Sequence, residues 1–172
     1  MPALLDHIDP NGLEEFSVVF TDRSLNHMSK EFQQVMCDLS SNLKEVYNSD
    51  AVVLVPGGGT FAMEAVARQF GVDASVLVVR NGWFSYRWSQ IFEASANARA
   101  TTVVKARMVG NEAVAPFRPA DVDDVIEKIK EEKPNIVFAP HVETSAGVIL
   151  PDDYIKKIST CLLYTSPSPR DA

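Results

Sequence analysis

Cysteine is scarce in this chain of 172 residues, which has only Cys37 and Cys161. Two cysteines make neither a disulfide framework nor a cysteine-based metal cluster, and their scarcity suits a reducing compartment. Long apolar runs are missing too, since none approaches the roughly 20 residues that cross a membrane. The N-terminus lacks the basic stretch and apolar core of a signal peptide. We therefore expect a cytoplasmic protein with no membrane partner and no metal site.

Positive charge is in deficit as well. The chain has 16 Lys and Arg against 23 Asp and Glu, a net charge of −7. A surface that binds nucleic acid or anionic lipid needs clustered cations, so we expect no nucleic-acid partner. Hydrophobic residues make up 46% and charged residues 23% of the chain, which is ordinary for a globular protein.

The clearest motif is a short apolar run followed by three glycines. Residues 51–55 read AVVLV and predict a buried strand. Residues 57–59 are all glycine, which permits a sharp turn and the close approach of a ligand to the main chain. Thr60 is predicted to cap the helix that comes next. A helix start with free N–H groups attracts anions, so this stretch predicts a phosphate site.

Two other kinds of phosphate site have a characteristic spacing that can be compared with this turn. A nucleotide P-loop needs Lys followed by Ser or Thr after its last glycine, whereas Gly59 is followed by Thr60, so that site is excluded. The spacing Gly57-x-Gly59-x-x-Ala62 satisfies the dinucleotide fingerprint, and the next predicted strand ends in Arg80, which suits a 2′-phosphate. An NADP-binding Rossmann oxidoreductase is therefore the main alternative.

Strand and helix patterns alternate along the chain. Helices are predicted at residues 30–47, from residue 61, at 83–97, at 122–132 and after 151, and further strands at 75–79, 101–106 and 135–139. Residues 1–23 and 108–119 are predicted to be irregular. The alternation predicts an α/β fold, a three-layer αβα arrangement around a mostly parallel sheet. Ligands bind beyond the carboxyl ends of such strands, where the polar loops 56–60, 81–88 and 140–147 lie.

The end of the chain breaks this pattern. Residues 166–169 read SPSP, and proline cannot continue a helix because it lacks an N–H group. We expect residues 161–172 to be a non-native tail, of the kind that translated adaptor sequence leaves.

Four short motifs occur in sequence along the chain. They are NHMSKEF from residue 26, GGGT from residue 57 with AMEA from residue 62, NG at residues 81–82 with Phe84 and Arg87, and HVETSAG at residues 141–147. In this order they resemble the class V aminotransferases, which are fold-type I pyridoxal-phosphate enzymes. The nearest branch is that of the alanine–glyoxylate and serine–pyruvate aminotransferases, and the resemblance covers roughly residues 21–158.

The resemblance implies a fold, a cofactor and an activity. Residues 24–160 would form part of the large domain of a fold-type I pyridoxal-phosphate transferase. The parent protein would use pyridoxal 5′-phosphate to move an amino group from a small amino acid, alanine or serine, to a 2-oxo acid, glyoxylate or pyruvate. It would be a homodimer, because the site of this fold lies at the subunit interface. Other class V members, phosphoserine aminotransferase, aminoethylphosphonate–pyruvate aminotransferase and cysteine desulfurase, stay open.

The resemblance also assigns cofactor-binding residues. Gly58, Gly59 and Thr60 would hold the phosphate, Phe84 would stack on the pyridine ring, and Thr144 would bond the ring hydroxyl. A helix cannot turn all four aromatic residues of 83–88 toward one ligand, so at least two of them should pack in the core.

Three further residues would line the approach to the site by the same resemblance: His27, His141 and Glu143. The alternative for each histidine is a structural hydrogen bond, or a cap for His27.

The chain departs from the family beyond the last motif. The lysine that forms the Schiff base, the aspartate that pairs with the pyridine nitrogen and the small C-terminal domain have no counterpart here. None of the lysines matches the family position. We therefore expect no catalytic residue in this chain, and expect it to be an inactive fragment of a transaminase.

Overall fold

The computed structural model describes residues 27–165, with side chains as far as residue 163. The chain divides into two compact units between Val55 and Pro56. The predictions for residues 1–23 and for the SPSP segment lie outside the described residues. The division of the chain into segments 1–23, 24–160 and 161–172 stays a prediction.

The first unit contains one described helix, α1 (Lys30–Tyr47). Ser29 caps it, because the Phe32 N–H donates to Ser29 Oγ at 3.1 Å. No residue of α1 is buried, and Val46 is 74% exposed. The apolar stripe of this helix is therefore largely uncovered in the described residues.

The strand predicted at residues 51–55 is not formed, which corrects the sequence analysis. These residues have no regular secondary structure, and Val53 is 82% exposed. A strand is held by hydrogen bonds to a neighbouring strand, and among the described residues none pairs with this run. Apolar character alone did not make it a strand.

The second unit alternates helices and strands. In chain order they are α2 (Gly59–Phe70), β1 (Ser75–Arg80), α3 (Trp83–Ser95), β2 (Ala100–Lys105), β3 (Arg107–Met108), β4 (Phe117–Arg118), α4 (Val122–Glu132), β5 (Ile136–Phe138), β6 (Val142–Glu143), β7 (Val148–Ile149) and α5 (Asp152–Thr165). The predicted helices and the three predicted strands after residue 74 are present, with ends shifted by one or two residues. The irregular segment predicted at 108–119 instead contributes to the short antiparallel pair β3–β4.

The main sheet is parallel and runs in the order β2–β1–β5. Strand β1 is central, and its side chains alternate between the two faces. Val76 and Val78 pack with α2 and α3, while Leu77 and Val79 pack with α4 and α5. All four side chains are 0% exposed. The predicted three-layer αβα fold is thus confirmed.

The two crossovers of this parallel sheet run in opposite directions across it. It runs from β1 through α3 to β2, then returns through α4 across β1 to β5. Right-handed crossovers in opposite directions place α3 and α4 on opposite faces, which explains the two core clusters. The reversal opens a crevice at the carboxyl ends of β1 and β5, the usual ligand position in such sheets.

Helix α5 continues to Thr165, beyond the point where the sequence pattern breaks. Cys161 and Leu162 pack against the core cluster that contains Leu77. The non-native origin of the tail stays a prediction, but its first residues extend the helix. Among the described residues, no helix has the length and apolar character needed to cross a membrane.

Candidate functional site

A buried carboxylate joins the two loops at the crevice. Glu143, in β6, is 0% exposed. Its Oε1 accepts from the Phe84 N–H at 3.1 Å, and its Oε2 accepts from the Ser85 N–H at 2.7 Å and the Ser85 hydroxyl at 2.6 Å. The Ser145 hydroxyl donates to Oε1 as well. The loop after β5 therefore caps helix α3, which comes after β1.

The same contacts keep Glu143 ionised. Burial favours the neutral acid and raises the pKa, but the hydrogen bonds from Ser145, from Ser85 and from the two main-chain N–H groups outweigh it. The pKa of Glu143 is consequently held below its ordinary value of 4.5. The positive end of the α3 dipole favours a negative charge at this position too.

Two serine hydroxyls extend this cap into the main chain. Ser85 Oγ accepts from the N–H groups of Asn81 at 2.8 Å and Gly82 at 2.9 Å. Ser145 Oγ accepts from the Trp83 N–H at 2.8 Å. A Cβ atom at Gly82 would lie 2.7 Å from both Glu143 Cγ and Ser145 Oγ, so close approach requires glycine there.

Two of the predicted cofactor residues lie in the loops that this network joins. Phe84 occupies the first turn of α3 with 51% of its surface exposed. Thr144 is exposed and lies between the two residues whose side chains cap that turn. Both are accessible at the carboxyl edge of the sheet.

The glycine turn lies at the start of α2. The structure corrects the predicted cap: the N-cap is Gly58, in an extended conformation, and exposed Thr60 is the second helical residue. Gly57 has φ +125°, and a Cβ there would lie 2.2 Å from the Phe61 ring. Cβ atoms on Gly58 and Gly59 would meet nothing within 4 Å, so the space over this turn is open.

The N-termini of α2 and α3 differ in how their main-chain N–H groups are capped. The N-terminus of α3 is occupied by the chain's own carboxylate, Glu143. The N-terminus of α2 receives no side-chain cap. An external anion therefore finds free N–H groups at α2 and not at α3. Among the described residues, no hydrogen bond links residues 58–60 to the 81–88 or 140–147 loops.

The remaining predicted site residues donate no hydrogen bond to the Glu143 carboxylate. His141 is exposed, with Nε2 3.7 Å from Asp152 Oδ1, and its carbonyl accepts from the Leu150 N–H at 2.9 Å. His27 is exposed in the turn ahead of α1, in the first unit. Glu143, which was predicted to line the approach to the site, has its carboxylate buried against α3, and its site-lining role stays a prediction.

The aromatic residues of α3 divide as helical geometry requires. The Trp88 ring packs on Phe138, with centroids 4.4 Å apart. Tyr86 is half-buried beneath the Arg80 guanidinium, 4.9 Å from the ring centroid. Trp83 and Phe84 are 59% and 51% exposed.

Known proteins resemble this chain in sequence and in fold, although no protein-family model matches it. The alanine–glyoxylate aminotransferase of Rattus norvegicus is 29% identical over 134 residues, which are 76% of this chain and 30% of that protein. The soluble hydrogenase small subunit of Synechococcus sp. (strain PCC 6716) is 30% identical over 127 residues, 73% of this chain and 31% of that protein. The structure of ureidoglycine–glyoxylate aminotransferase from Bacillus subtilis superposes with a TM-score of 0.62 at 24% identity, covering 83% of this chain and 33% of that one. The chain is similar in sequence to alanine–glyoxylate aminotransferase and shares its fold with ureidoglycine–glyoxylate aminotransferase.

The predicted aminotransferase resemblance is thereby confirmed. The chain spans about a third of the length of the curated proteins it matches, 31% and 30% for the two named above. Each of its lysines is exposed or half-buried. Within residues 27–163, no group of three or more His, Cys, Asp or Glu is placed to hold a metal ion.

Sequence reasoning missed the residues that build the cap. Ser85, Ser145 and the capping role of Glu143 depend on contacts between positions up to 62 residues apart. The signal in the sequence is weak, since a serine at the third helical position only hints at a capping interaction. The carboxylate that Ser85 contacts, Glu143, lies 58 residues further along the chain, in the loop after β5.

Proposed function

We propose that this chain is part of a pyridoxal-phosphate-dependent aminotransferase. The whole protein would move an amino group from alanine or serine to glyoxylate or pyruvate. The observation that carries the proposal is the similarity to alanine–glyoxylate aminotransferase over 76% of the chain. The uncapped start of α2 and the exposed Phe84 add the physical support.

The cofactor phosphate fits the start of α2. Gly58 and Gly59 carry no side chains, and the space above them is open. Unpaired N–H groups at the first turn and the exposed Thr60 hydroxyl match the three acceptor oxygens of a phosphate. A helix of 12 residues presents its full positive end at this turn.

The pyridine ring fits the crevice beyond β1 and β5. Phe84 offers an exposed aromatic face, and Thr144 offers a hydroxyl for the ring oxygen. The Glu143 cap fixes the main chain of both loops, so these side chains start from anchored positions. When bound, pyridoxal phosphate supplies an electron sink for the substrate carbon, and the residues here hold and orient it.

The catalytic lysine would come from sequence beyond this chain. None of the lysines here matches the family position. The chain alone should therefore hold cofactor weakly and turn over no substrate. The whole protein would be a cytoplasmic homodimer.

The alternatives from the sequence differ in support. Neither relative named above is described as an NADP-dependent enzyme, so the Rossmann oxidoreductase gains no support from them. Phosphoserine aminotransferase and cysteine desulfurase share the family motifs and differ in substrate. The substrate preference of the full-length protein distinguishes these members.

An activity assay on the protein at the full length of its relatives tests this function. With pyridoxal phosphate, alanine and glyoxylate, we expect pyruvate to accumulate together with glycine, while the 172-residue chain produces none. O-phosphoserine and cysteine serve as competing donors. Absence of amino transfer from alanine and serine, with activity on either competitor, would reject the proposed substrates. No amino transfer from any donor would reject the aminotransferase.

A further inference from the structure

Two cations lie side by side at the carboxyl edge of the sheet. Arg80 ends β1 and Lys105 ends β2, and the two are paired in the parallel register. Paired residues on neighbouring strands are about 4.8 Å apart, and their side chains leave the sheet on the same face. Like charges at adjacent positions repel each other unless an anion lies between them.

No carboxylate oxygen lies within 4.0 Å of either cation in the described part of the chain. Arg68, Arg107, Arg118 and Lys128 each form an ion pair within 4.0 Å. No such pair involves the two cations at the strand ends, although the chain carries a net charge of −7. The Arg80 guanidinium is instead held over the Tyr86 ring.

A cavity of about 280 Å³ lies at the same edge. It is lined by Arg80, Asn81, Gly82, Lys105, Ala106, Phe117 and Ala146. Its volume is at the lower end for ligand pockets, so it suits a small molecule. None of the lining residues belongs to α2 or to its glycine turn.

Asn81, one of the lining residues, carries a buried amide that has no hydrogen-bond partner in the described part of the chain. Asn81 is 3% exposed, and neither its Oδ1 nor its Nδ2 has a hydrogen-bond partner. Leaving a buried polar group unpaired costs about 1–3 kcal/mol, so native structures seldom tolerate it without a reason. An amide can donate to an oxyanion through Nδ2, beside two cations that attract it.

We propose that this cavity binds a small oxyanion, a carboxylate or a phosphate, between Arg80 and Lys105. The anion neutralises the paired cations, and the Asn81 amide donates to one of its oxygens. This site is separate from the glycine turn proposed for the cofactor. It does not depend on the aminotransferase proposal.

Residue-resolved NMR titration tests the site on the 172-residue chain. Inorganic phosphate and acetate are added in separate experiments. We expect at least one anion to give saturable shifts of the main-chain amides of Asn81, Gly82, Ala106 and Ala146. The anion with the lower apparent Kd identifies the chemical source. Absence of saturable shifts with both anions, or shifts confined to Gly59 and Thr60, would overturn the inference.

Charge-removing variants test the assignment of the cations. Arg80→Gln and Lys105→Gln should each raise the apparent Kd by about tenfold, the usual worth of a charge-assisted hydrogen bond. Lys130→Gln removes the same charge from an exposed position of α4, outside the cavity lining, and should bind as the parent chain does. Because Lys105 is exposed, its variant remains informative if Arg80→Gln fails to fold. Unchanged binding by Lys105→Gln would contradict the site.

Discussion

At the scale of single residues, Glu143 shows how a fully buried carboxylate stays ionised. Four donors surround it, two of them main-chain N–H groups at the start of α3. Glu143→Gln would turn one oxygen into an amide donor that faces other donors. We expect the free energy of unfolding at pH 7 to fall by about 2–4 kcal/mol, measured by urea denaturation.

Glu93→Gln is the matched control for that variant. Glu93 is exposed on the same helix, so its substitution should change stability by less than about 0.5 kcal/mol. Equal stabilities for the two variants would show that the cap contributes little.

The Glu143 cap also makes stability depend on acid pH. The folded pKa is depressed, so the stabilisation is present above the ordinary value of 4.5 and is lost as the pH falls through the lower folded value. The difference in unfolding free energy between the parent chain and Glu143→Gln should therefore shrink as the pH drops below 4.5. Denaturation at pH 7 and at successively lower pH measures it, and a constant difference would be inconsistent with an ionised cap.

The glycines of the α2 turn have different roles. Gly57 needs its φ of +125°, and its Cβ would overlap the Phe61 ring, so Gly57→Ala should destabilise the chain by about 1–3 kcal/mol. Gly58→Ala meets no atom within 4 Å and should leave stability within about 1 kcal/mol. Thermal denaturation of the two variants compares them directly. If Gly58→Ala lost as much stability as Gly57→Ala, the fold would require glycine at both positions.

At the scale of elements, Tyr154 fastens α5 to the segment ahead of α4. Its buried hydroxyl donates to the Ala120 carbonyl at 2.9 Å. Tyr154→Phe leaves that carbonyl unpaired and should cost about 1 kcal/mol at pH 8 in urea denaturation. Retention of full stability would show that the bond contributes nothing net.

The same tyrosine predicts a change at alkaline pH. Burial, together with the charges of Asp121 and Asp124, raises the pKa of Tyr154 from 10.0 to about 12. This contribution is fully present below pH 10.0 and is lost as the pH rises through about 12. Between these values the parent chain should lose more stability than Tyr154→Phe, and parallel losses would contradict the raised pKa.

Elements held by local patterns were predictable, and those held by distant partners were not. Helices α1 and α4 begin and end at the residues that the sequence pattern predicts. The run at residues 51–55 has strand composition but no neighbouring strand in the described residues. The cap of α3 joins residues 58 positions apart, so no window of sequence contains it. The candidate site was located by its loops, while its internal bonding was not foreseen.

At the scale of the whole molecule, the reversal from β2 to β5 organises the site. It places the loop after β1 next to the loop after β5 at the carboxyl edge of the sheet. The Glu143 cap joins these two loops by hydrogen bonds. Phe84 and Thr144 are thereby held at one edge, on a fold shared with an aminotransferase of known structure. The central claim is that this edge and the glycine turn of α2 receive a pyridoxal phosphate.

Titration of the chain with pyridoxine 5′-phosphate tests that claim most directly. This analogue has an alcohol in place of the aldehyde, so it cannot react with surface lysines. We predict saturable NMR shifts at Gly59, Thr60 and Phe84, with weaker binding by Thr60→Val and unchanged binding by Thr101→Val, an exposed threonine of β2. Saturable binding that leaves these three amides unshifted, or no binding, would contradict the claim.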